Sequence, residues 1–223
     1  MKPSALSFAR GAHVCHLFQG AAHQKSVILP FLLEGLKQGE SCLYVTGRQS
    51  VDDWYFELQA SGIDVQAKRD RKALAIITSA EFGQPSSFNS IIKAAELLHF
   101  IEDRLTDFAG VRIAADVAWE WDPPLPADKL CHWEATANLL FEGQNVRTIC
   151  EYGLTSHSPA AIHAALRTHP QIVLDRLLYT NPFYEAPRIL ENEPHLNGSA
   201  ADSGLIETML RHIQFRAGSS AGQ

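Results

Sequence analysis

Short apolar runs with no wet face recur along this chain, and each is followed by a longer segment whose apolar residues fall at helical spacing. Such runs are strands buried on both sides, which calls for a mostly parallel sheet with helices on both faces. The runs are HVCHLF at 13–18, SCLYVT at 41–46, ALAIIT at 73–78, VRIAADVAW at 111–119 and VRTICEY at 146–152. Helices are expected over 22–37, 51–61, 86–107, 127–142 and 159–167. Pro30 either kinks the first helix or marks a late start. Ser50 suits an N-cap and Gly62 a C-terminal glycine, and Ser158-Pro159 opens the last helix in the favoured order. Residues 63–66 read as a short extended piece, and Pro123, Pro124 and Pro126 as a stiff loop. QIVLDRLLYTNPFYEAP reads as a terminal strand or hairpin followed by a loop. The expectation is one three-layer α/β domain over 12–190. A flexible leader at 1–11 precedes it; a polar loop at 191–204, an amphipathic helix at 205–216 and a disordered tail at 217–223 follow.

Composition narrows the partners. The net charge is −6, so neither nucleic acid nor an anionic membrane is an expected partner, because both require a positive face. The one dense basic cluster, Lys68, Arg69, Arg71 and Lys72, is read as a solvated loop or hairpin tip. The four cysteines form no C-x-x-C pair, and most sit in apolar contexts, which fits reduced thiols in a cytoplasmic protein. The N-terminal segment has no apolar core of a secretory signal, and no run approaches the roughly 18 apolar residues of a membrane span.

The segment GAAHQKSVILPFLLEGLKQGESCLYVTGRQS resembles the opening of RecA/KaiC-like ATPases, in which a phosphate loop leads into a helix and then a strand. In detail the chain is more similar to the MEDS domain, the methanogen and methylotroph sensory domain. The matching pieces are His13-Val14-Cys15, PFLLEGLKQGE, CLYVT, Ala114 to Trp119, Trp133-Glu134-Ala135 to Asn138, ICEY, ALRTHP and NPFYEAP. They run from about residue 12 to 215, and ALRTHP followed by NPFYEAP is the most specific. The resemblance implies a RecA-like fold and a sensory role proposed for small hydrocarbon derivatives. Members are often fused to an output module; with no room for one here, the resemblance implies signalling in trans.

The chemistry can be read residue by residue. A phosphate loop needs G-x-x-x-x-G-K-S/T, so that backbone N–H groups wrap the phosphates and the lysine reaches them. Aligned on Lys25-Ser26, this chain has Gln19 and Gln24 where the glycines belong, with Gly20 beside the first. Hydrolysis is therefore not expected, although the helix dipole and free N–H groups remain available to an anion. Asp116 ends a strand, as a metal-associated acid does in ATPases, and equally suits a carboxylate bonded to backbone N–H groups. His13 and Cys15 share a strand face while His16 points away. They suit two soft metal ligands completed by His169 or Cys150. The preferred reading is a core cysteine and a hydrogen-bonded histidine lining a ligand cleft, with no metal or cofactor. Trp119, Trp121, Trp133, Tyr152 and Phe183 suit either an apolar pocket or ordinary core. Glu134 and Asn138 lie at i, i+4 on one helix face, and His169-Pro170 ends a helix as a hinge or ligand contact.

No nucleophile–base–oxyanion constellation is visible. The expected function is a non-catalytic sensory domain binding a small organic ligand through His13, Cys15, Gln19, Asp116, Trp119, Glu134, Asn138, Glu151, Tyr152 and His169, with a downstream regulatory protein as partner. Self-association is left open. The alternatives are a nucleotide-binding protein or weak ATPase using Gly20, Gln24, Lys25 and Ser26, and an interaction module acting through the C-terminal helix.

Overall fold

The structure is a computed structural model that describes residues 6–47, 49–83, 89–116 and 125–187, together with 206, 210, 211, 213 and 214. The strands are β1 (Ala12–Phe18), β2 (Ser41–Thr46), β3 (Leu74–Thr78), β4 (Val111–Asp116), β5 (Val146–Gly153), β6 (Gln171–Leu174) and β7 (Leu177–Thr180). The helices are α1 (Gly20–Lys37), α2 (Val51–Ala60), α3 (Val65–Asp70), α4 (Ser79–Phe82), α5 (Ser90–Asp107), α6 (Ala127–Phe141) and α7 (Pro159–Thr168). One sheet in the order β3-β2-β4-β5-β1-β6-β7 joins all seven strands, and only the β6–β7 hairpin is antiparallel.

Two cores lie on opposite faces of this sheet. On one, Val27, Ile28, Phe31 and Leu32 of α1 and Trp54 and Leu58 of α2 cover Val14, Tyr44, Ala114 and Ile149. On the other, Leu97 and Ile101 of α5, Leu130, Trp133 and Phe141 of α6, and Ile162 and Leu166 of α7 cover Cys15, Leu17, Ile113 and Tyr152. Ile206 and Ile213 are buried in this second core and Leu210 packs against it. These apolar positions of the C-terminal helical segment therefore face the domain itself.

The structure departs from the sequence expectations at several points. The extended piece expected at 63–66 gives way to helix from Val65: Asp64 accepts a hydrogen bond from the Ala67 N–H and caps α3, overriding the β-branched Val65. The basic cluster is thus a helix end followed by a turn with Lys72 at φ 57°, rather than a hairpin tip. Helix α1 starts at Gly20 and runs through Pro30, which lies on its exposed side. Helix α5 starts at Ser90, where the Asn89 side chain accepts from Ile91 and Ile92 N–H. The leader is held from Leu6 onward: Leu6 and Phe8 pack on the α1 core, and Arg147 donates to the Phe8 carbonyl at 3.0 Å.

The amino ends of the strands are closed by ions. Buried Glu40 accepts from Arg112 and from Arg147 (2.7 Å), and Arg112 also donates to the Phe31 carbonyl at 2.9 Å. Gly35 makes room for this arrangement, because a Cβ there would stand 2.6 Å from Arg112 Cδ and 2.8 Å from Cys42 Sγ. Gly35→Ala is therefore expected to lower stability by about 1–3 kcal/mol through overpacking, measured as a lower denaturant midpoint at unchanged m.

The carboxyl ends are where a site can form. The connection from β1 runs through α1 to β2 on one side, whereas that from β5 runs through α7 to β6 on the other. Adjacent strands β1 and β5 thus part in opposite directions, and the crevice beyond their carboxyl ends is a topological switch point.

Candidate functional site

Two buried polar clusters lie back to back across β1 and β5. Strand alternation creates them: His16 and Glu151 point to the α1 face, while His13, Cys15, Cys150 and Tyr152 point to the α6–α7 face.

The first cluster sits at the switch point. His16 pairs in register with Glu151, and Glu151 with Asp116. Gln24, in the second turn of α1, reaches over these strand ends. Its Nε2 donates to Asp116 Oδ2 (3.1 Å), Glu151 Oε2 (3.1 Å) and Tyr44 Oη (3.3 Å), and its Oε1 accepts from Gln49 (2.7 Å). Tyr44 donates to Glu151 Oε2 at 2.9 Å. Burial, reinforced by the Asp116 charge, pushes the Glu151 carboxyl well above the usual carboxylate range. Burial, with the neighbouring His23, pulls His16 down to about 3. Both shifts run against an ion pair in the 3.2 Å contact of Glu151 Oε1 with His16 Nδ1. The other ring nitrogen, His16 Nε2, is fully buried and has no partner among the described residues.

The phosphate-loop residues do other work. Gln19 and Gly20 are exposed at the start of α1, and the Gln19 N–H is taken by His23 Nδ1 at 3.2 Å. Lys25 pairs with Glu57 at 2.7 Å, and the Ser26 hydroxyl bonds to the His23 carbonyl at 2.8 Å. The position facing the strand ends is held by Gln24, with two carboxyl groups behind it.

The second cluster lies under α6 and α7. Glu134, completely buried, is its hub: Oε1 accepts from Tyr152 Oη at 2.5 Å, while Oε2 stands 3.2 Å from His13 Nε2, 3.6 Å from Cys150 Sγ and 3.6 Å from His169 Nε2. Burial alone would push this carboxyl up, but its contacts with His13, His169 and Tyr152 outweigh burial and hold it below the usual range. Burial, with the His13 ring beside it, pulls His169 down to about 3. Burial and the Glu134 carboxylate push the Cys15 and Cys150 thiols well above their ordinary value. These thiols are therefore poor nucleophiles as they stand. Asn138 does not act beside the Glu134 carboxylate: its amide donates to the Thr168 and Glu134 carbonyls, tying α6 to the end of α7.

The sequence-based site residues are thus split. His13, Cys15, Glu134, Tyr152 and His169 share one face with Cys150; Asp116, Glu151 and Gln24 share the other with Tyr44, His16 and Gln49. A single cleft joining His13 with Asp116 and Glu151 is not formed, because the sheet lies between them. Trp119 and Trp121 lie outside the described residues. Tyr44 and Gln49 were missed. The parity of SCLYVT, with its second and fourth residues toward α1, is the signal that could have pointed to Tyr44.

The profile of the MEDS family, the methanogen/methylotroph, DcmR sensory domain, matches residues 12–170, more than half of the chain. Among solved structures, the KaiC-like protein PH0186 from the hyperthermophilic archaeon Pyrococcus horikoshii OT3 superposes with a TM-score of 0.51 at 16% identity. The alignment covers 74% of this chain and 71% of that one. At that identity the likeness shows the fold alone, an α/β domain of the RecA and KaiC type. No curated protein matches in sequence.

Proposed function

The chain belongs to the MEDS family of sensory domains, and from that premise we propose that it is a non-catalytic sensor binding a small organic molecule at the switch point beside His16. The observation that carries this reading is the buried His16 Nε2 without a partner among the described residues, at the strand ends where α/β sheets bind ligands; in the tautomer that leaves Nδ1 to accept from Glu151 it is an N–H donor. A donor in that position suits an uncharged molecule with one hydrogen-bond acceptor, such as an oxygenated or halogenated hydrocarbon. Phe18, whose ring centroid lies 5.6 Å from that of His16, supplies an apolar flank. A bound molecule would change the packing of α1 on the sheet, a surface that a separate regulatory protein can read.

A polyphosphate is disfavoured on charge. It would approach the Asp116 carboxylate, and Lys25, the lysine of the phosphate-loop alignment, is held by Glu57. Among the described residues no helix is long and apolar enough to cross a membrane.

Thermal shift against short alcohols, ketones and halocarbons tests the proposal. Stabilisation by at least one class is expected, and His16→Phe weakens it about tenfold by removing one hydrogen bond worth roughly 1.5 kcal/mol. Mg-ATP is expected to give neither a shift nor phosphate release. Lys25→Ala is expected to change nothing but a half-exposed ion pair, worth about 0–1 kcal/mol. Phosphate release that disappears in Lys25→Ala would overturn the sensor reading in favour of an ATPase.

A further inference from the structure

We propose that His13, Glu134, Cys150 and His169 form a closed four-coordinate site for a zinc-class divalent metal ion. The ligand atoms they offer all lie within 4.8 Å of one another. Four of the contacts are 3.2 Å (His13 Nε2 to Cys150 Sγ), 3.2 Å (His13 Nε2 to Glu134 Oε2), 3.6 Å (Cys150 Sγ to Glu134 Oε2) and 3.6 Å (His169 Nε2 to Glu134 Oε2). A tetrahedron built on zinc bond lengths to nitrogen, oxygen and sulfur has edges of about 3.3–3.7 Å. These four separations match ligands around one small ion, and the remaining two, from His169 Nε2 to His13 and to Cys150, are at most 4.8 Å.

Protein atoms alone leave this arrangement in conflict. His169 Nδ1 lies 2.9 Å from the Ala165 carbonyl, which only accepts, and 3.1 Å from the Thr168 hydroxyl, whose own proton goes to the Ala164 carbonyl at 2.8 Å, so Nδ1 carries the ring proton. Nε2 is then a bare lone pair. It is fully buried, has no hydrogen-bond partner among the described residues, and faces the Glu134 carboxylate. Two acceptors with no proton between them repel; a cation between them removes the conflict. The Ala165 carbonyl fixes the tautomer that a metal-binding imidazole needs.

Charge and chemistry agree. Two neutral imidazoles, one thiolate and one carboxylate sum to −2, so a divalent ion makes the buried cluster neutral. The nitrogen- and sulfur-rich set favours zinc over magnesium or calcium. Binding requires the Cys150 thiol to lose its proton to solvent, which the ion's own charge drives. The ligands come from β1, α6, β5 and the cap of α7, so the ion would bind the helix layer to the two central strands. Cys15, one of the two ligands that strand parity suggested, is not among the four.

The experiment strips the full-length protein with a chelator and titrates it with Co(II), then Zn(II). One equivalent of Co(II) is expected to give the intense visible bands of a tetrahedral ion and a thiolate-to-metal charge-transfer band. About one proton is released per metal. Zn(II) bleaches both bands, and the melting temperature rises. Cys150→Ser removes the charge-transfer band, whereas Cys131→Ser, outside the cluster, keeps it. A weak octahedral Co(II) spectrum, no binding at one equivalent, or a band that survives Cys150→Ser would overturn the site. Should Cys150→Ser fail to fold, the wild-type spectrum and proton count decide alone.

Discussion

In chelator, the protein is expected to lose stability as pH falls below 6.5 and to unfold cooperatively below about pH 4. The sign follows from four buried groups. His16 and His169 sit at about 3 in the folded state against an ordinary 6.5, so their stabilisation is complete above 6.5 and lost as pH falls through that window. Glu134 is held below its ordinary 4.5, so its contribution is also lost on acidification, but only below 4.5. Glu151 is raised and works the other way: its contribution is present below 4.5 and lost as pH rises through its folded value. Between 6.5 and 4.5 the unfolded chain takes up two protons on these histidines, opposed by the one proton that the native state holds on Glu151 below its raised folded value. Stability falls by about 1.4–2.8 kcal/mol per pH unit there. Below 4.5 Glu151 no longer opposes and Glu134 joins, giving about 3–4 kcal/mol per unit. Toward higher pH the Glu151 contribution is lost as pH rises through its folded value. Against a total of roughly 5–15 kcal/mol, the acid limb is enough to unfold the domain. Urea titrations at a series of pH values would show it, and His16→Phe or His169→Phe should each flatten the limb by one proton. A midpoint unchanged between pH 6.5 and 4 would mean that these histidines are not buried neutral.

The layers of the fold were readable because the inner strands are buried on both faces and so are dominated by apolar residues, even where β4 and β5 carry buried charged groups. Helix α3 was hidden because Ile63 and Val65 speak for extended chain, while the deciding interaction is one side-chain oxygen, that of Asp64 on the Ala67 N–H. Strand parity set His13 and Cys15 on one face and His16 on the other, and the structure has them so. What parity within single strands cannot supply is the register between strands. Only the β1–β5 pairing shows that Glu151 backs onto His16 while Cys150 backs onto Cys15. The burial of Glu134 did leave a trace: Leu130, Ala137 and Phe141 lie four before, three after and seven after it, on the apolar stripe of α6. A carboxylate on such a stripe is buried, and a buried carboxylate needs partners. Gln24 left no comparable trace, because a glutamine early in a helix reads as solvated unless the two carboxyl groups beyond it are already in place.

Removing the Glu134 side chain is expected to be the most damaging single change on the α6 face. In Glu134→Ala the Tyr152 hydroxyl, His13 Nε2 and the Cys150 thiol all lose an acceptor in a region closed to water. Deleting one member of a buried charged network costs about 3–5 kcal/mol, because the groups left behind are desolvated without compensation. Glu134→Gln separates the reasons for that cost. Its carbonyl still accepts from Tyr152, and its NH₂ supplies a proton to the bare Nε2 of His169, but His13 Nε2 and the Cys150 thiol then meet a donor where Oε2 accepted. In chelator Glu134→Gln is therefore expected to lie between wild type and Glu134→Ala by urea unfolding at pH 7. Zinc should then widen its distance from the wild type. The wild type gains stability with metal, while an amide in place of the anionic ligand leaves a net charge on the filled site and weakens binding. If Glu134→Ala matched the wild type in chelator, Glu134 would not be the hub of this face. If zinc stabilised Glu134→Gln as much as wild type, the carboxylate would not be a ligand.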